Sequence, residues 1–257
     1  MARRINVWLN GVSLTDAVPS AIVRNVYEDD PENDLTTGER PGYPGQRVIS
    51  RKRTRLTVKI ELVLRIVQDL QARTRALNEV NAWAQDGILE LSNHPDQRLQ
   101  CIVTQRPALN TDRNYTQTFA IELSAIAIPF WESMMPDTAS ATGTTGSVTL
   151  IPSGTAERVP LSFTVTPSSS SLSSFSATVN GKTISLSGLT VASGKALKLY
   201  YDADGLQWIT NDGASVIGSR SASSADDLWL YPNQSNTITF TASTSSAVIF
   251  EARGRWL

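Results

Sequence analysis

The sequence has one cysteine and one histidine in 257 residues. A single thiol forms no intrachain disulfide, so the fold does not rest on an oxidising compartment. With one imidazole, a zinc site would need mostly carboxylate ligands. Charge is sparse and balanced: 18% of residues are charged, 23 Lys and Arg against 24 Asp and Glu. Such a chain lacks the basic footprint of a duplex nucleic-acid binder. Long apolar runs are missing too. The longest, Ala125 to Trp131, is far short of the ~18 residues of a membrane span. Asn6, Asn10 and Ser13 interrupt the first apolar stretch before it reaches signal-peptide length. These absences predict a soluble chain without membrane insertion.

Catalytic patterns are equally scarce. No Gly-x-Ser-x-Gly elbow occurs. Gly181-Lys182-Thr183 has Ser176 where a phosphate loop needs its first glycine. The run Tyr201 to Gly205 begins like a calcium loop, but Gly213 occupies the position of the bidentate glutamate. His94 sits in a turn near Asp96, and Cys101 lies within an alternating strand that buries it. We therefore expect no enzyme, no cofactor and no metal site.

What is present divides the chain. Residues 1–136 hold 16 Ser and Thr, 16 bases and 16 acids, whereas residues 137–257 hold 39, 7 and 8. The Ser/Thr/Gly run at the seam reads as a linker over 137–146. The expected domains are thus 1–136 and 147–257.

In the first half, Leu56, Val58, Ile60, Leu62 and Leu64 alternate with polar residues and predict a strand. Val67, Leu70, Leu77, Val80 and Ala84, with Thr74 filling a gap, predict an amphipathic helix over about 67–84, stopped near Gly87. Two short strands flank the turn Asn93 to Asp96, and Phe119, Ile121, Leu123 and Ala125 mark another strand. The expected fold is α+β, an antiparallel sheet or split β-barrel with one helix. The second half reads as strands throughout, with Asn180-Gly181, Asp204-Gly205 and Asp212-Gly213 as turns. A β-sandwich fits that pattern.

Two charged segments stand out. Glu28 to Asp34 holds the acids Glu28, Asp29, Asp30, Glu32 and Asp34; Arg51 to Arg55 places Arg51, Arg53 and Arg55 on one strand face. Between them lies a Gly- and Pro-rich stretch that reads as a long loop between two strands. One reading is two solvated patches; the other is an arm whose bases meet an acidic strip on another subunit. Among the aromatics of the second half, Trp208 and Tyr231 are candidates for stacking on sugars, against the ordinary role of strand aromatics as core.

The order of parts resembles the distal tail proteins of long-tailed bacteriophages. The residues that carry the likeness are Leu9 to Leu14, a helix closed by Trp83, Pro95-Asp96 and Arg98 with Gln97 between, and Pro129-Phe130-Trp131. In the second half they are Gly146 to Pro160, Leu199 to Gly205, Leu230 to Phe240 with Gln234 or Ser235 replacing a usual glycine, and Glu251 to Leu257. The resemblance implies a tube-like, ring-forming first domain and a galectin-like β-sandwich, whose last strand packs back toward the first domain. It implies a homo-hexameric adaptor between the tail tube and the tail-tip hub. Tape-measure and receptor-binding or side-fibre proteins would be further partners, and genomic DNA would pass through the lumen. The place implied is the virion tail tip, with assembly in the host cytoplasm. On that view Arg51, Arg53 and Arg55 face a neighbour and the acids of 28–34 lie nearer the lumen. Alternatives are a carbohydrate-binding adhesion module and a tail-tube subunit.

Overall fold

The structure, a computed structural model, describes residues 5–29, 32–39, 46–65, 69–108 and 118–257. The chain is mostly β and divides into two compact units, Met1–Trp131 and Glu132–Leu257.

The first unit runs β1 (Val7–Leu9), β2 (Val12–Ser13), α1 (Leu14–Ala17), β3 (Ala21–Glu28), β4 (Glu32–Glu39), β5 (Gln46–Leu64), α2 (Leu70–Trp83), β6 (Gly87–Leu91), β7 (Gln97–Gln105) and β8 (Thr118–Ala125). Its sheet has the order β2-β1-β6-β7-β8-β5-β3. The alternation that predicts β5 sets its register: Leu56, Val58, Ile60 and Leu62 are buried and pair with β8, whose Phe119, Ile121, Leu123 and Ala125 face the same core.

Helix α2 departs from the expected phase. It starts at Leu70, with the Asp69 carboxylate accepting from the Gln71 and Ala72 amides at 2.9 and 3.2 Å. Leu70, at the first helical position, is 58% exposed, and Thr74 is exposed as well. The buried stripe is Arg73, Ala76, Leu77, Val80 and Trp83. An arginine occupies a place where the periodicity puts apolar residues. Val67 lies outside the described residues.

The expected loop between the two charged segments is instead an extended hairpin. β4 pairs antiparallel with the first half of β5, Glu32 opposite Arg55, Asp34 opposite Lys52 and Thr36 opposite Ser50. The rest of β5 pairs with β3 and β8. The hairpin is therefore a two-stranded arm of eight residues a side, about 26 Å at strand rise. Thr36, Thr37 and the branched Val48 and Ile49 favour extended backbone. The Gly- and Pro-rich residues 40–45 lie outside the described residues.

The second unit follows with β9 (Trp131–Ser133, its first residue belonging to the first unit), β10 (Asp137–Leu150), β11 (Val159–Pro167), β12 (Leu172–Val179), β13 (Lys182–Val191), β14 (Leu197–Tyr201), β15 (Gln207–Asn211), β16 (Ala214–Ser215), β17 (Trp229–Leu230), β18 (Asn236–Ala252) and β19 (Arg255–Trp256). The expected linker at 137–146 is part of β10, which pairs with β18 from Asp137–Ala252 to Leu150–Asn236. Small residues that look like linker serve here as strand, because β18 supplies a continuous partner edge. Gly146 has a packing reason: a Cβ there would come within 2.5 Å of the Phe240 ring.

The other edge of β18 is divided. Thr239 to Ala242 pair with β12, and Ser246 to Ala252 pair with β11, so the sheet curls around one core. Phe163, Phe175, Phe240 and Phe250 fill it, with the Phe163 and Phe175 centroids 5.0 Å apart. Asn180 and Gly181 both have positive φ, 49° and 74°, the two-residue turn that the dipeptide predicts between β12 and β13.

Candidate interaction site

In the first unit, a polar cluster joins the last residue of β3 to the β6–β7 turn. The Glu28 carboxylate accepts from His94 Nε2 at 2.7 Å, from Asn93 Nδ2 at 3.2 Å and from Trp131 Nε1 at 3.1 Å. The imidazole stacks on the Trp131 indole, centroids 4.3 Å apart and planes 10° from parallel. His94 Nδ1 faces Gln97 Oε1 at 3.2 Å, so both ring nitrogens meet oxygens, as a protonated ring requires. Electrostatics agree. The Glu28 hydrogen bond outweighs burial and holds His94 above its ordinary value. At Glu28 burial works upward, but His94, Asn93 and Trp131 together hold the carboxyl below its ordinary value. In sequence His94 reads as a surface turn residue; nothing in the local pattern signals a partner 66 positions away.

The arm follows this cluster in the chain, β4 starting four residues after Glu28. Its charges face each other across the strands: Arg55 lies 3.9 Å from Glu32, with side chains 42% and 65% exposed. The Arg53 guanidinium lies over the Phe130 ring, 5.1 Å from its centroid. Arg51 is in β5 opposite Leu35, and its side chain lies outside the described residues, as does Asp30. The Asp29 amide donates to Thr57 O at 3.0 Å. Glu32 and Asp34 are exposed, as is Leu35 at 51%. The sequence brings the acidic and basic segments to opposite ends of a loop; the structure brings them side by side. A two-stranded ribbon of this kind is marginal alone in water and gains from covering one face.

Cys101 is buried, and burial pushes its thiol up to about 12. It is inert packing rather than a nucleophile.

In the second unit, Trp208 on β15 lies opposite Tyr200 on β14; they are 41% and 39% exposed. Trp208 Nε1 donates to Asp202 at 2.7 Å, and the Asp204 and Leu206 amides donate to the same carboxylate. That hydrogen bond first, then the amides, holds Asp202 below its ordinary value. The run that begins like a calcium loop is thus an aspartate-closed turn. Tyr231 is apart from Trp208 in sequence and packs edge-on to Trp229, 4.8 Å between centroids, with Arg158 over the other ring at 4.4 Å. Across β11, β14 and β18 an open hollow of about 530 Å³ is lined by Ser162, Thr164, Lys198, Tyr200, Glu251 and Arg253 among others. Among the described residues no group of three or more His, Cys, Asp or Glu is placed to hold a metal, and no helix is long and apolar enough to cross a membrane.

No protein-family model matches the sequence, and no curated protein matches it. Solved structures do match the fold: a phage Dit protein and a phage baseplate. The SPP1 Dit protein, described as a paradigm of the hub adsorption apparatus in phages infecting Gram-positive bacteria, matches with a TM-score of 0.69 over 98% of this chain and 99% of that one, at 14% identity. The phage P2 baseplate in its activated conformation with Ca matches at 0.47 and 8% identity, over 99% of this chain and 98% of that one. The form with Sr matches at 0.45 and 9%, over 97% and 98%. At these identities the likeness is one of fold, and the first of the three carries it.

Proposed function

We propose that this chain is a structural, non-enzymatic component of a phage tail tip, a distal tail adaptor that joins the tail tube to the tail-tip hub. The observation that carries this reading is the match to the Dit fold along nearly the whole chain, including both units. In this reading the first unit, as the α+β tube-like domain, builds a homo-hexameric ring, and the galectin-like second unit offers surface to peripheral receptor-binding or side-fibre proteins. Tape-measure protein and DNA occupy the lumen in passing. Assembly takes place in the host cytoplasm, and the finished ring resides in the virion.

The arm is the natural bridge within the ring, since a head-to-tail interface needs two different, complementary flanks. Arg51, Arg53 and Arg55 act at the neighbour-facing side. The acids Glu28, Asp29, Asp30, Glu32 and Asp34 take the side nearer the lumen, Glu28 accepting from His94 and Glu32 facing Arg55. Replacing the three arginines by Ser should weaken ring formation, most visibly at low ionic strength; unchanged assembly would return them to solvated charges.

Native mass measurement of the purified chain tests the main reading. Six copies in a closed ring support the adaptor, open stacks of rings support a tail-tube subunit, and a monomer under all conditions overturns both. The carbohydrate-binding alternative rests on the exposed Trp208–Tyr200 pair. It requires glycan binding that Trp208→Ala abolishes.

A further inference from the structure

A β-sheet edge presents backbone N–H and C=O groups that another strand can take, and folded proteins blunt such edges with charge, bulges, short strands or a covering loop. Other edges of this chain are blunted in these ways. β3 carries Arg24 and Glu28 and a register shift between Val23 and Asn25. β16 is two residues long. β13 is covered, the Ser221 and Ala225 amides donating to Ser185 O and Thr183 O at 2.9 and 2.8 Å. β10 has no such cover. Among the described residues it pairs with β18 alone. From Thr138 to Leu150 it holds no charge and no proline. Its one irregularity is a corner between Gly143 and Thr145, with Gly143 at φ 153°. There the strand doubles back: the Asp137 carboxylate accepts at 3.0 Å from the amide of Ser153, three residues past the far end of β10. The packing shows that the edge is open. Ala139, Ala141 and Val148 face the core yet stay half-buried, whereas the inward residues of β11 and β18 are buried throughout.

Both halves of this edge are self-complementary. Thr138-Ala139-Ser140-Ala141-Thr142 reads alike in either direction, and Thr145-Gly146-Ser147-Val148-Thr149 repeats its hydroxyl pattern. The hydroxyl residues are exposed, and those between them face the core. We infer that the β10 edge pairs antiparallel with the β10 edge of a second copy of this chain, centred on Ser140 in the first half and Ser147 in the second. These serines flank the corner at nearly equal distance, four residues before Thr144 and three after it, so one two-fold axis serves both halves. In this register Thr138 meets Thr142 of the second copy, Ala139 meets Ala141, and Ser140 meets itself. Thr145 meets Thr149, and Gly146 meets Val148. Facing hydroxyls bond across the pair, the half-buried Ala139, Ala141 and Val148 gain apolar cover, and the open backbone groups gain partners. Asp137, the one charge of β10, falls opposite Gly143, so the two copies do not oppose their charges. A strand of another sequence would make the backbone bonds without this symmetry. The edge exists only after β18 has fixed β10 as a strand. The contact is isologous and lies in the second unit. It goes beyond the ring reading and stands whether or not the first unit forms a ring.

Ser140→Cys in the full chain tests the register. Ser140 is exposed, and Cys101 is buried and inert. Oxidation should therefore give a covalent dimer on a non-reducing gel, about tenfold or more faster than Thr237→Cys, which is exposed on β18, one strand in from the edge, and too far from its own copy to bridge. Charge supplies a second readout. Ser140→Lys combined with Ser147→Lys should weaken association in sedimentation by about tenfold, because like charges then stand directly opposite. Ser140→Glu combined with Ser147→Glu should do the same, and an equimolar mixture of the two variants should associate at least as well as wild type. Variants that associate like wild type, or a mixture as weak as its parts, would overturn the inference. Rings without a Ser140→Cys dimer would overturn it and leave the ring reading standing; that dimer without rings would do the reverse. Equally fast cross-linking of Ser140→Cys to a cysteine-bearing peptide of scrambled β10 sequence would make the edge a general strand acceptor and overturn the assignment to a second copy.

Discussion

The two units treat buried polarity differently. The second unit closes its best-buried charged and amide groups on themselves, with the Ser133 hydroxyl and Trp229 Nε1 as exceptions. Asn236, 2% exposed, accepts from the Tyr231 amide at 2.9 Å and donates toward the carbonyls of Tyr231, Gln234 and Leu150 at 2.9, 2.8 and 3.3 Å. Glu132 and Arg255 form a short pair at 2.9 Å, with side chains only 9% and 16% exposed. The first unit leaves more open: a buried Arg73 Nε without a hydrogen-bond partner, an exposed Leu70, and an arm strand β4 that is exposed from Glu32 to Thr37.

The sharpest way to break this contrast is to damage the self-contained unit. Phe163→Ala removes a ring that is 1% exposed and touches both Phe175 and Phe250. It should cost about 3–5 kcal/mol. Calorimetry should show the second unit melting early and the first unchanged; a common shift of both would mean that the units do not unfold separately. Asn236→Ala comes next, at about 2–3 kcal/mol, since it strands several buried partners. Urea denaturation reads it, and a loss below about 0.5 kcal/mol would mean that water replaces the amide.

A smaller effect belongs to the first unit. The raised His94 contributes fully below about 6.5, its ordinary value, and its contribution fades as pH climbs through the raised one. The lowered Glu28 contributes fully above 4.5 and fades as pH falls through its lowered value. The pair therefore stabilises most between 4.5 and 6.5. His94→Ala should cost about 1–2 kcal/mol in that window, discounted for partial exposure, and flatten the pH profile of the first transition. A parallel profile in the variant would assign the pH dependence elsewhere. Arg55→Ser should be smallest, about 0.2–1 kcal/mol, because its partner Glu32 is 65% exposed. A larger loss in monomeric protein would show that the arm depends on that pair.

Legibility followed the same divide. Strand alternation in β5, β8 and β18 is written in the sequence because each strand has one buried face. The Asn180-Gly181 turn is equally plain, since its backbone conformation admits few residue pairs. The linker reading of 137–146 failed because Ser, Thr and Gly carry little face preference, and only the distant β18 decides their state. The arm was hidden by its turn-rich tip. Of the site residues, the charged segments were visible as composition but their cross-strand pairing was not. His94, Arg73 and Asn236 were missed for one reason: each is defined by partners, or by a missing partner, far away in sequence.

That dependence of β18 on distant strands has a consequence for the order of synthesis. β18 pairs with β10 across about a hundred residues, and it also provides the edges for β11 and β12. β10 and β11 cannot complete their pairing until Ala252 has been made, and β12 waits for Ala242. At about 5–20 residues per second, β10 waits on the order of ten seconds for its partner. The pairings of β1 to β8 in the first unit need no residue beyond Ala125. Nascent β10, rich in Thr, Ser and Gly rather than large apolar side chains, is well suited to wait in water without sticking to other chains.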